Sequence, residues 1–317
     1  MGESEALASV RSALRREVVR RGNLRRTLET LTNYLYLLPT IIGLLVFSAG
    51  AVVMSFWLSL SNWEGQTWFR NVPWVGIKNY AKAFSDPLFP KVIWNTTYYV
   101  LGSVPLNMLI GLLLAVLVNQ KLFGITFFRS LYFLPVVTSG VAVALIFTWL
   151  FAPQFGPINE LLWRLFRIKG PDWLASTEWA MPTLIITGVW KGVGYTMVIF
   201  LAGLQGVDET LYEAARIDGA SRLQVFLRIT LPLLTPTTFF ILITSIIGAF
   251  QTFVPTYVMT QGGPYYSTTT LPYWIYSNAF VWFHMSYAAA LAYILFAMIL
   301  IFTLIQWRLQ QKWVYYT

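Results

Sequence analysis

The chain contains no cysteine and a single histidine, His284. Disulfides, thiolate metal sites and cysteine nucleophiles are excluded, and imidazoles are too few to build a metal cluster. Charge is scarce too. Asp, Glu, Lys and Arg make up 11% of the residues, against about 25% in an ordinary soluble domain, and a water-facing surface cannot be built from so little. No GxxxxGK[ST] sequence occurs, so there is no P-loop for a nucleotide. No secretory leader is expected, because the first 33 residues carry seven Arg and four Glu without a continuous apolar core.

Apolar residues are abundant, at 57%. A helix needs about 20 of them in a row to cross the hydrocarbon core, and six stretches qualify: 34–61, 92–118, 128–152, 181–205, 237–260 and 287–307. Pro39, Pro105, Pro135, Gly140 and Gly248 fall inside these stretches, as is tolerated in membrane helices. The expected fold is all-α and integral to the membrane, in contact with lipid. It comprises a basic N-terminal segment (1–33), a six-span domain (34–309) with a long connection at 206–236, and a tail (310–317). Fourteen basic residues fall on the side of the termini and seven on the other, which places both termini in the cytoplasm. The same distribution argues against nucleic acid as the partner of the net +9 charge. The segment Val10–Arg26 reads as an orientation determinant along anionic lipid.

None of the six stretches contains Asp or Glu. Ion-driven carriers use such groups as relays and ligands inside the bilayer, although backbone carbonyls at broken helices also bind sodium. An ion-coupled carrier or channel stays open as the alternative function. A membrane-embedded enzyme has few groups to work with, chiefly loop carboxylates such as Asp172 and Glu178. If the chain moves a solute uphill, the energy is expected to arrive through contact with another protein.

The 206–236 connection is where such energy could arrive. Asp208 or Thr210 is suited to cap a helix start, and Thr210-x-x-Glu213 has capping-box spacing. Gly219 stands where a left-handed residue closes a helix. Ser221-x-x-Gln224 opens a second helix, which Pro232 is expected to end. Each residue could serve only its cap or turn. Equally, Ala214 and Ala215 beside a tight turn, with Leu211, Phe226 and Leu227 as anchors, form a knob for a partner's groove. The residues alone support both readings.

Glu213-Ala214-Ala215, three residues, Gly219, nine residues, Ile229, one residue and Leu231-Pro232 match the EAA motif at every position. By this pattern the chain resembles the permeases of binding-protein-dependent ABC importers. Phe128–Pro135, Phe151-x-Pro153-x-x-Gly156-x-x-Asn159, Trp190–Tyr195 and Gln261-Gly-Gly-Pro264 resemble the sugar branch, the maltose- and glycerol-3-phosphate-type permeases. The likeness runs from about residue 34 to the C-terminus. It implies a type I importer fold and coupling helices over 209–232, with Glu213, Ala214, Ala215, Asp218 and Gly219 contacting an ATPase. It further implies a second homologous permease, two ATPase subunits and an extracytoplasmic solute-binding protein, in a bacterial or archaeal cytoplasmic membrane. This chain would hold no cofactor, ATP and magnesium being bound by the ATPase. The N-terminal extension and the 62–91 loop resemble the first permease of such pairs.

Two places suit a solute path. The fourth stretch offers Trp190, Lys191, Gly192 and Tyr195, and the fifth offers Ser245 and Gln251. Trp190 and Tyr195 would stack on a sugar face, while Ser245 and Gln251 would bond its hydroxyls. Alternatively the glycines serve helix packing and Lys191 snorkels to the headgroups. The maltose-type permeases line their path with the matching segments, and this chain has Gly188 and Ala249 where those carry amides. The solute expected is a sugar, oligosaccharide or polyol, with a phosphorylated polyol as the variant that Lys191 would suit. The 261–270 loop reads as a plain hairpin or as a binding-protein contact, His284 as an interfacial residue, and the Asn95-Thr-Thr97 sequon as meaningless inside a span.

Overall fold

The computed structural model describes residues 32–65, 72–120 and 123–314. The Val10–Arg26 segment, Lys121 and part of the 62–91 connection lie outside the described residues. The chain divides into two compact units, Met1–Trp57 and Leu58–Thr317. Helix α1 (Thr32–Ser59) occupies the first and ends in the second. Its 28 residues span about 42 Å at about 1.5 Å each, include no charged side chain, and widen to π-helical turns over Leu44–Gly50.

The second unit continues with α2 (Lys78–Ser85), α3 (Phe89–Val118), α4 (Ile125–Val137), α5 (Gly140–Leu150), α6 (Pro157–Phe166) and α7 (Ala180–Gln205). After α8 (Glu209–Ile217) come α9 (Arg222–Leu233), α10 (Thr235–Phe250), α11 (Leu271–Tyr276) and α12 (Met285–Gln310). Among the described residues, α1, α3, α7 and α12 are each long and apolar enough to cross a membrane, and two bent pairs, α4–α5 and α9–α10, bring the number to six if each is one span.

Three expectations need correction. The 128–152 stretch is not one helix, because α4 and α5 meet at 98°. Pro135 lacks an N–H and sits in the last turn of α4, and Thr138 turns extended at ψ 152°. The Thr138 backbone N–H and hydroxyl both donate to the Pro135 carbonyl, at 3.3 and 2.6 Å, which seals the stop. The fifth stretch does not stay helical to residue 260. Helix α10 ends at Phe250, and a separate π-helical turn covers Thr256–Thr260. Finally, Pro232 does not end the second helix of the 206–236 connection. A π-helical stretch over Phe226–Thr230 runs into an α-turn that contains Pro232. The 62° bend falls at Leu234, where Pro236 crowds the carbonyl four residues back.

Helix α3 lies along α7, and the core forms in layers around that pair. Tyr99, Val143, Phe147, Leu184, Ile185 and Val189 build one cluster. Ala115, Val118, Met197, Phe200, Leu204 and Leu234 build another, toward the 206–236 connection. Phe296, Leu300, Ile301 and Leu304 of α12 stay exposed, an apolar face that suits lipid. Arg129 closes the α3–α4 connection by donating from Nη2 to the Val118 carbonyl at 2.8 Å, near the end of α3 where a cation is favoured.

The 261–270 loop is more than a free hairpin. Asn95, the sequon residue, is buried and donates to the Tyr266 and Thr269 carbonyls at 2.7 and 3.1 Å. Thr96 accepts from the Leu271 N–H at 2.8 Å, and Lys91 donates to the Tyr265 carbonyl at 2.6 Å. The first turns of α3 therefore carry polar residues in order to hold this loop.

Candidate functional site

Helices α3, α7 and α10 enclose an inner cavity of about 260 Å³. Each contributes one stripe at helical spacing: Tyr99, Ser103 and Asn107 from α3, Gly188, Gly192 and Tyr195 from α7, and Ser245, Gly248 and Thr252 at and just beyond the end of α10. Gly188 is required by close approach. A Cβ there would lie 2.2 Å from the Tyr99 hydroxyl oxygen. Gly192 leaves similar room for Asn107, whose Nδ2 would be 2.8 Å from an added Cβ. Asn107 in turn accepts from the Thr196 hydroxyl at 2.5 Å. The Ser103 hydroxyl is buried with no hydrogen-bond partner among the described residues, an arrangement that costs free energy unless a ligand or water completes it.

An outer cavity of about 330 Å³ shares Tyr99, Gly188, Gly192 and Thr252 with the inner one and adds Gly140, Val143, Lys191 and Phe253. Of the residues expected along a solute path, Gly192, Tyr195 and Ser245 line the inner cavity and Lys191 the outer. Trp190 lines neither, and its ring packs against Phe147 at a centroid distance of 5.1 Å. The reason is angular: two positions beyond Gly188 is about 200° around a helix. Gln251 also lines neither cavity; its N–H closes α10 on the Gly248 carbonyl at 3.2 Å and its side chain is exposed. Lys191 is engaged by the break between α4 and α5. Its ammonium donates to the Thr138 carbonyl at 3.0 Å and the Pro135 carbonyl at 3.4 Å. Tyr99, Ser103 and Asn107 escaped the sequence reading, although an amide and hydroxyls at i, i+4 and i+8 in an otherwise apolar span were the available signal.

The 206–236 connection is helix, tight turn, helix. Asp208 caps α8 by accepting from the Thr210 N–H at 2.9 Å, and this bond holds its carboxyl below the ordinary range. Thr210 is therefore not the cap. Gly219 sits at φ +76°, with Gly219 N–H on the Arg216 carbonyl and Ala220 N–H on the Ala215 carbonyl, the paired bonds of a Schellman stop. The Ser221–Gln224 capping box is present. Tyr212 and Thr230 hydroxyls meet at 3.3 Å and tie the two helices together. Glu213, Ala214, Asp218 and Gly219 are exposed, while Ala215 is turned inward. The exposed apolar anchors are Leu211, Leu227, Ile217 and Leu223, whereas Phe226 is half-buried.

A family profile described as the binding-protein-dependent transport system inner membrane component matches residues 107–315. The chain is 35% identical over 292 residues to the probable ABC transporter permease protein YesP of Bacillus subtilis (strain 168), covering 91% of this chain and 93% of that one. It is 34% identical over 291 residues to the lactose transport system permease protein LacF of Rhizobium radiobacter, covering 90% and 96%. Its fold superposes on the crystal structure of a bacterial ABC transporter involved in the import of the acidic polysaccharide alginate, with a TM-score of 0.77, 24% identity and coverage of 88% and 94%. That last likeness bears on the fold alone. With the family profile matched over 107–315 and a relative 35% identical over 91% of the chain, this chain belongs to the inner-membrane permease components of binding-protein-dependent ABC transporters.

Proposed function

We propose that this chain forms half of the membrane path for a neutral sugar, oligosaccharide or polyol, the other half being a second homologous permease. Family membership sets aside the ion-coupled carrier that the sequence alone left open, and nucleotide hydrolysis belongs to a separate subunit. The observation that carries the solute reading is the lining of the inner cavity. Ser103, Asn107, Tyr195, Thr244, Ser245 and Thr252 offer hydroxyls and an amide, and no charged side chain joins them. Such a lining pairs with hydroxyls from either side as donor or acceptor, and the Tyr195 ring adds a face for sugar C–H groups. The LacF relative, named for lactose transport, is consistent with this chemistry. A phosphorylated polyol is less well served, because the Lys191 ammonium is engaged by two backbone carbonyls.

The 209–232 segment is proposed to seat in one of two ATPase subunits. Support comes from its rigid double-capped geometry and from the exposed Glu213, Ala214, Asp218 and Gly219. The chain is a multi-pass protein of the inner membrane, and its basic residues favour both termini in the cytoplasm. Mass analysis of the ligand retained by the co-purified solute-binding protein tests the solute reading. A neutral polyhydroxylated compound is expected, and an amino acid, peptide or metal chelate would refute it.

A further inference from the structure

Lys191 is the twelfth residue of the 26 in α7, so its backbone lies near the middle of a long apolar helix, where an ammonium is costly unless paired. Its partners are backbone carbonyls at the C-terminal end of α4, Thr138 at 3.0 Å and Pro135 at 3.4 Å. A helix end leaves its last carbonyls without intrahelical donors and concentrates partial negative charge there. At this end the chain leaves at 98° into α5; Thr138 turns its own N–H and hydroxyl onto the Pro135 carbonyl, and the ammonium makes its shorter bond to the Thr138 carbonyl. The lysine stem also passes the start of α5, its Cε standing 3.5 Å from where a Cβ would project at Gly140. One side chain therefore touches both halves of the broken span. The α5 half walls the outer cavity through residues near the break, Gly140, Val143 and Ala144, beside Lys191 itself.

We propose that Lys191 is a positioning residue that pins the break between α4 and α5 to α7 and so sets the outer cavity's shape. The pin has a direct mechanical connection to the coupling loop. From Lys191 to Gln205 α7 is unbroken, about 21 Å at about 1.5 Å per residue, and α8 starts four residues later. A displacement of the coupling helices that moves α7 is thereby transmitted to the broken span at its weakest point. This is a role in gating geometry, separate from any contact with solute.

This chain has no cysteine, so labelling read on this chain reports the introduced thiol alone. Val143 is 3% exposed and lines the outer cavity, so Val143→Cys in the assembled transporter reports whether α5 stays seated. The rate of labelling by a small water-soluble methanethiosulfonate reagent is compared with Lys191, Lys191→Arg and Lys191→Met, alongside ATPase stimulation by the solute-binding protein. Lys191→Met is expected to raise labelling about tenfold, the scale of losing one charge-assisted hydrogen bond, and to lower stimulation. Lys191→Arg, which restores a cation for the carbonyls, is expected to return both toward the parent values. Should Lys191→Met fail to assemble, Lys191→Gln, which keeps an N–H donor and loses the charge, is measured by the same criteria. Parent-like labelling and stimulation in the neutral variant overturn the proposal, as does failure of arginine to restore either. The labelling arm is independent of which solute is carried.

Discussion

Tyr99 of α3 and Gly188 of α7 meet at the wall common to both cavities, where a Cβ on residue 188 would stand 2.2 Å from the Tyr99 hydroxyl oxygen. The missing side chain at 188 is thus what allows the phenol to lie across the interface. Gly188→Ala must displace Tyr99, and overpacking of this kind costs about 1–3 kcal/mol. Tyr99→Phe removes the clashing oxygen. In that background Gly188→Ala should cost markedly less, with a coupling of about 1 kcal/mol or more between the two positions. Thermal unfolding of the four members of the cycle in detergent measures it, and additive effects would contradict the geometry.

Asn107 joins α3 to α7 through Thr196 at 2.5 Å and also lines the inner cavity. Asn107→Leu removes an amide from a site read as hydroxyl-binding while adding an apolar side chain the span tolerates. Uptake should fall about tenfold or more, the scale of one lost polar contact to solute, with assembly retained on gel filtration. Unchanged uptake would remove Asn107 from the path.

The turn between the coupling helices depends on Gly219 at φ +76°. An L-residue in that region costs about 1–2 kcal/mol, and nothing lies within 4 Å of an added Cβ, so the penalty of Gly219→Ala is one of backbone conformation. Coupled ATPase activity should drop, and Gly219→Asn should retain more of it than Gly219→Ala because asparagine tolerates the left-handed region. Equal activity of the two variants would indicate that the turn is not what matters.

The Asp208 cap gives a pH dependence of known sign. Its bonds from Thr210 lower its carboxyl pKa in the folded protein, so the cap stabilises α8 above the ordinary carboxylate range. That contribution is lost as pH falls through the lowered folded value. Amide exchange at Thr210 and Leu211 should therefore quicken in Asp208→Ala at neutral pH, and the difference from the parent should vanish in strong acid. A difference independent of pH would contradict the capping role.

Much of this was legible in the sequence because it rests on local signals. Apolar run length marks the spans, and cap and turn residues at fixed offsets mark the two helices of the 206–236 connection, including Ser221 with Gln224 and the Gly219 stop. The losses were of two kinds. The breaks at Thr138–Ser139 and Leu234 depend on which neighbour satisfies the freed backbone, and a hydropathy window does not contain that neighbour. Trp190 was singled out for its chemistry, yet helical phase turns it toward Phe147, while the modest Gly188 and Asn107 face the cavity. Asn95 likewise reads as a stray sequon until the 261–270 loop folds back onto it.

The central claim joins a hydroxyl-lined path to energy delivered at the coupling loop. Its most direct test is accumulation of the binding protein's own ligand in proteoliposomes holding the complete transporter, with parent and Glu213→Lys compared with and without ATP. ATP-dependent accumulation of a neutral carbohydrate by the parent is expected, with near-complete loss in Glu213→Lys while the binding protein's affinity for ligand stays the same. Undiminished accumulation by Glu213→Lys, or accumulation driven by an ion gradient without ATP, would contradict the account.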